Sequence, residues 1–231
     1  MSVILNIETS SRICSVAVTS EGMVEWHVES EEPMQHATLL APYVEKALDF
    51  LARRELKLDA VAVSIGPGSY TGLRIGLSLA KGLCFAQDVP LIGVPTLEVL
   101  AVKAMFGYRD AQGDEILVPM IDARRMEVYT AAYDFSLKEL MPAQPHILTE
   151  ESYAELPEGR KLLFIGDGVD KAKEVVKRQD ALFLTNAMPI AMDMTALSER
   201  AFRNGDFLDV AYCTPLYLKE YQATTPRNKV F

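Results

Sequence analysis

Glu8 stands with the hydroxyls of Thr9 and Ser10 in Ile7-Glu8-Thr9-Ser10, where an apolar run ends in a turn. Such a strand end can present hydroxyls and backbone N–H groups to a phosphate or a metal-bound water. Taken alone, an ordinary strand closed by turn formers is the better account of so short a string. Gly66-Pro67-Gly68-Ser69-Tyr70-Thr71-Gly72 is more specific, because an apolar run enters it and a helical pattern leaves it. Ser69 or Thr71 can cap the exposed N–H groups there, and the junction can hold an anion or serve only as a tight connection. The three histidines, His27, His36 and His146, have no metal-ligand spacing. Cys84 falls on a stripe of small residues and reads as a packing residue rather than a nucleophile.

The elements that must position these residues follow from periodicity. Val3–Thr9, Ile13–Thr19 and Met23–Glu29 predict a three-stranded meander, and residues 35–53 predict a helix. Ala60–Ile65 and Leu91–Val94 read as buried strands, each followed by a helix, at about 71–86 and 96–105. This alternation implies parallel strands joined by crossover helices. The polar stretch 108–115 is the expected hinge between two lobes. Beyond it lie a hairpin around Asp122–Arg125, strands near 142–148 and 161–165, and helices near 169–178 and 194–203. These elements are fewer and weaker, so a reduced second lobe is expected. The expected division is 1–107, 108–223 and a tail, 224–231.

In the helix after Gly66–Gly72, Gly72, Gly76, Ala80 and Cys84 recur every fourth residue. The other faces carry Leu73 and Leu77 among further apolar residues, so the helix must be buried nearly all round. The preceding helix has Leu40 on its main apolar side, with Leu39, Tyr43 and Ala47 beside it. Two such helices together carry more apolar surface than a soluble monomer usually exposes, which favours a partner. A net charge of -9 disfavours a solitary nucleic-acid binder. Three dispersed cysteines argue against a disulfide framework, and no apolar run reaches membrane-spanning length, so a cytoplasmic location is expected.

Several motifs in order resemble the TsaB/TsaD group of the actin-like, sugar-kinase-like ATPase superfamily: Ile7–Ser10, the Gly66–Gly72 turn, and Phe85 through Val94. Ile121-Asp122-Ala123-Arg124, Glu127-Val128-Tyr129 and Pro215-Leu216-Tyr217-Leu218 look specifically like TsaB. The resemblance implies a two-lobed, actin-like, RNase H-like α/β fold with mixed sheets. It also implies a scaffold subunit that pairs with TsaD through the two apolar helices and acts with the ATPase TsaE in transferring threonylcarbamoyl to tRNA. ATP and metal are then expected on the partner subunits and none on the isolated chain. The chain would meet tRNA only through the complex, and would form a homodimer when TsaD is absent.

Departures from the catalytic relative set the expected role. Where TsaD carries His-x-x-x-His, the matched flanks here place Thr96 and Leu100, which cannot hold a metal in that way. Where TsaD-like proteins use a bare Ser-Gly-Gly turn, this chain has Asp122-Ala123-Arg124-Arg125, whose side chains crowd a phosphate. The arginines suit internal salt bridges or a partner contact, the former being the commoner fate. Gly166-Asp167-Gly168 is at most a remnant of an adenosine loop. Glu8, Thr9, Ser10, Gly66, Gly68, Asp122, Arg124, Gly166 and Gly168 are therefore expected to form vestigial turns, with no catalytic residue and no metal. The alternative is a small ATP-dependent kinase or metal-dependent hydrolase of the same superfamily.

Overall fold

A computed structural model describes residues 2–30, 32 and 35–219. The expected tail at 224–231 lies outside the described residues.

The first meander forms as β1 (Val3–Glu8), β2 (Cys14–Ser20) and β3 (Met23–Ser30). α1 (His36–Arg53), β4 (Ala60–Gly66), α2 (Tyr70–Gln87), β5 (Leu91–Pro95) and α3 (Thr96–Gly107) complete the first half. The second half runs β6 (Ile116–Asp122), β7 (Glu127–Tyr133), β8 (Glu139–Ile147), β9 (Leu162–Ile165), α4 (Val169–Val175), β10 (Ala181–Leu184), a 3-10 turn at Ala191–Met194 and α5 (Thr195–Asn204). β10 was not anticipated from sequence, because Ala181–Leu184 is only four residues long and half-buried.

Both sheets are mixed, and they share one topology. The first has the order β3-β2-β1-β4-β5 and the second, read in the same sense, β8-β7-β6-β9-β10. In each an antiparallel meander meets a parallel pair, β1 with β4 and β6 with β9. The fold is thus the expected two-lobed α/β arrangement with mixed sheets and crossover helices. The second lobe is not reduced in its sheet; the reduction is in its helices, where the seven-residue α4 stands opposite the 18-residue α1 and α2.

Strand alternation divides the core into layers. Leu5, Ile7, Val16, Val61 and Val63 face α1 and α2, whereas Ile4, Ala62, Ile92 and Val94 face α3, the 3-10 turn and α5. In the second sheet, Val118, Met120 and Phe164 face α4, while Leu117, Ile121 and Leu163 face α3. α3 therefore lies between both sheets, giving Val99 and Val102 to one and Leu97, Leu100 and Ala104 to the other. A helix with apolar residues all round has this burial available to it.

This placement corrects the expected division. Residues 108–115 do join the two sheets, but the Glu115 carboxylate staples that connection by accepting from the N–H groups of Gln112 and Gly113. The lobes are also fused through α3, and the chain returns to the first sheet at α5, so 108–223 is not a separate unit. Among the described residues no helix is long and apolar enough to cross a membrane.

Candidate functional site

The cleft between the sheets gathers most of the expected nucleotide turns. Glu8 ends β1 with no exposure, its Oε1 accepting from the Ser10 N–H (2.6 Å) and the Ser64 hydroxyl (3.0 Å). Oε2 and the Ser10 Oγ are buried with no hydrogen-bond partner. Burial pushes the Glu8 carboxyl above its ordinary range; the hydrogen bonds oppose this and the negative charge of Asp193 adds to it. Asp167 and Asp193 are raised too, again mainly by burial.

Packing closes this cleft against a nucleotide. The β1–β2 turn lies directly on the glycine turn, with the Ser10 carbonyl accepting from Ser69 N–H (2.6 Å). A Cβ at Gly68 would strike that same carbonyl, so the glycine makes room for the chain's own backbone rather than for a phosphate. Ser69 caps α2 by accepting from Gly72 N–H (3.2 Å), as one of the two sequence options expects. What remains is a cavity of about 10 Å³ lined by Ser10, Ser11, Leu100, Ile121, Asp167 and Pro189. That is room for about one water. ATP with its metal does not fit the residues present. Thr96 and Leu100 both sit on the buried side of α3, and Leu100 fills the cleft where a ligating side chain would otherwise project. Among the described residues, no group of three or more His, Cys, Asp or Glu is placed to hold a metal.

On the other bank, Gly166 and Gly168 pack under β6. A Cβ at Gly166 would collide with the Met120 carbonyl, and one at Gly168 would meet Val128 and Met120 side chains. Asp167 Oδ1 accepts from Asp122 N–H (2.8 Å), and Lys171 pairs with Asp122 (2.6 Å). Arg124 and Arg125 form the tip of the β6–β7 hairpin at left-handed φ values of +72° and +51°. Both are exposed, and neither guanidinium makes an ion pair or hydrogen bond among the described residues. The internal salt bridges expected for them are absent there.

The expected partner face needs a larger correction. Leu40, Tyr43, Ala47, Leu77, Ala80 and Cys84 belong to the core of this chain, buried between the helices and the first sheet, and Leu73 is buried as well. Gly72 and Gly76 admit Thr9, whose hydroxyl donates to the Gly72 carbonyl (2.9 Å); a Cβ at either glycine would collide with Thr9. The small-residue stripe thus allows close approach of the chain's own β1–β2 turn. Burial also lifts the Cys84 thiol to about 11, in keeping with a packing role. Of the expected interface residues, only Leu39 is partly open.

The remaining faces of α2, apolar in the sequence as well, are the more open ones. Ile75 and Leu79 are half-buried on one face, where a Cβ at Gly82 would meet nothing within 4 Å among the described residues; Leu83 is half-buried beside Cys84, and Phe85, on the side away from Leu83, is 87% exposed. The signal for the open face was present, since positions 75, 79, 82 and 86 also share a helical face. The C-terminal segment was assigned no role. Leu216 N–H donates to the Ile65 carbonyl (2.7 Å), Arg74 donates to the Tyr217 hydroxyl (3.1 Å), and Lys219 pairs with Glu127 (2.7 Å), so this segment runs from the first sheet to the second.

Comparison with known proteins covers nearly the whole chain. Residues 31–212 match the family model "TsaD: tRNA N6-adenosine threonylcarbamoyltransferase". The tRNA threonylcarbamoyladenosine biosynthesis protein TsaB of Escherichia coli K12 is 30% identical over 226 residues, 94% of each chain. The protein of the same name from Bacillus subtilis is 30% identical over 177 residues, 75% of each. Among solved structures, YeaZ from Pseudomonas aeruginosa superposes with a TM-score of 0.79 at 28% identity, covering 94% of this chain and all of that one.

Proposed function

As a member of the TsaB family, within the group described by the threonylcarbamoyltransferase model, the chain acts in tRNA threonylcarbamoyladenosine biosynthesis, and we propose that it does so as a scaffold for TsaD. The observation that carries this reading is the outward stripe of α2. Ile75 and Leu79 are half open on the face where Gly82 leaves room for a facing helix, and Phe85 at the border of that face is almost wholly exposed. Leu39 on the neighbouring α1 extends the same face. Exposed apolar side chains around a glycine give a partner helix both burial and backbone approach.

Chemistry belongs, in this proposal, to the partner. A cleft of about 10 Å³ filled by Leu100 and by the Ser10 turn supports nucleotide and metal being held on other subunits, TsaD and the ATPase TsaE. The chain would then steady the transferase and meet tRNA as part of the complex. When TsaD is lacking, the same α2 face is available to a second copy.

Reconstitution tests this directly. TsaD, TsaE, ATP with magnesium, threonylcarbamoyl-adenylate as the group donor and a tRNA transcript are combined with and without the purified chain, and modified adenosine is scored alongside gel filtration. We expect a complex between this chain and TsaD and a sharp loss of product when the chain is omitted. Modification by this chain without TsaD, or full output without this chain, overturns the proposal.

A further inference from the structure

We propose that the mouth of the inter-lobe cleft is an RNA-binding surface, with Arg12, Arg74, Arg124 and Arg125 engaging the phosphodiester backbone and Tyr217 offering a ring to a base. The identification of the RNA as the tRNA substrate rests on the function proposed above; the surface itself does not.

The contacts already described place these residues along one continuous border. Arg12 follows Ser11, which lines the cleft opposite Ile121 and Asp167. Asp122, next to Ile121, starts the hairpin tip that carries Arg124 and Arg125. Lys219 is tied to Glu127 at the base of that tip, and two residues back Tyr217 lies 5.1 Å from the Tyr70 ring and accepts from Arg74. The row therefore crosses from one lobe to the other.

Charge along this border is opposite to that of the molecule. Of the acids here, Asp122 is paired with Lys171 and the half-buried Glu127 with Lys219, while Asp167 is held by the Asp122 N–H and leaves one carboxylate against the three arginines. Arg12, Arg124 and Arg125 are exposed, and no ion pair among the described residues satisfies them. The net charge of -9 does not cancel this patch, because at physiological salt charges are screened beyond about 8 Å. A local cationic row decides what binds there.

Conformation points the same way. Two consecutive non-glycine residues at positive φ occupy positions where Asn or Gly is less strained. Arginine at both, with no partner among the described residues, is the arrangement expected when its guanidinium serves a ligand. Arginines interleaved with an exposed ring, Tyr217 at 41%, suit a nucleic acid strand, whose backbone takes the forks and whose bases take the ring. An acidic protein segment would use the charges but not the ring, so it is the alternative the test must separate.

The test uses Arg124→Asn/Arg125→Asn, which removes both charges while favouring the left-handed turn, so the fold is retained. Arg124→Lys/Arg125→Lys keeps the charge. Binding of an unmodified tRNA transcript is read by fluorescence anisotropy over a salt series, for the isolated chain and for its complex with TsaD. The Asn pair is expected to bind about tenfold more weakly near 0.15 M salt, with a log–log salt slope smaller by roughly 1.5, and the Lys pair to keep most of both. Pairing with TsaD in gel filtration should be unchanged. Unaltered affinity and slope in the Asn variant overturn the proposal, as does loss of TsaD pairing, which would make the turn a protein contact. If the wild-type chain never joins TsaD, the scaffold reading fails and the isolated chain's RNA binding still decides this one.

Discussion

Glu8 illustrates how an acidic residue at a strand end can serve packing and turn formation inside the chain. In this chain its carboxyl is sealed, half-satisfied by Ser10 and Ser64, and raised by burial. A raised folded pKa means that above the ordinary carboxylate range the folded state holds more protons than the unfolded one. Stability therefore falls as pH rises from that range through the raised value. Glu8→Gln should flatten part of this decline, read as Tm against pH between 4 and 9; an unchanged profile sinks the assignment. Asp167 and Asp193 shift in the same direction and should keep the remainder. Gly76 is the second case. Gly76→Val should destabilise the isolated chain by about 1–3 kcal/mol, because the new side chain meets Thr9. Denaturant melts of the chain alone separate this from a mere loss of pairing. Sequence made the motifs around Glu8 and Gly66 legible, since local spacing marks a turn. It could not reveal that the Ser10 carbonyl occupies the space over Gly68, because that contact spans 58 residues.

Among the elements, α2 and α3 are each visible from periodicity, but the helix expected to be buried nearly all round, α2, is the more open of the two. α2 has few charges, which suggested burial all round; the structure buries Leu73, Leu77, Ala80 and Cys84 and leaves Ile75, Leu79 and Phe85 toward solvent. α3, from Thr96 to Gly107, is the helix enclosed between two layers. A hydrophobic pattern reports how much of a helix is apolar and is silent on whether the neighbour is its own sheet or another chain. Gly82→Leu makes the distinction measurable. Replacing an exposed mid-helix glycine should raise stability by about 0.5–1 kcal/mol while weakening pairing with TsaD about tenfold or more. A rise in Tm with pairing intact counts against α2 as the docking face. Phe85→Asp should weaken pairing without affecting the melt, since that side chain packs on nothing in the chain to any great extent.

For the whole molecule, the repeated sheet order was partly legible: both halves open on antiparallel strands, and the similar start was readable. The shared helix was not, because Leu97, Leu100 and Ala101 reach the second sheet only after the chain has turned back on itself. Leu100→Ala should cost about 2–5 kcal/mol and lower a single transition followed by far-UV and near-UV signals alike. Two separated transitions would show that the lobes melt independently. The fused core also sets how the two sheets can move. Because α3 gives Val99 and Val102 to one sheet and Leu97 and Leu100 to the other, swinging the sheets apart would bare both sets to water, so a force applied to either lobe is expected to turn the chain bodily, as a strut passes on a push without bending.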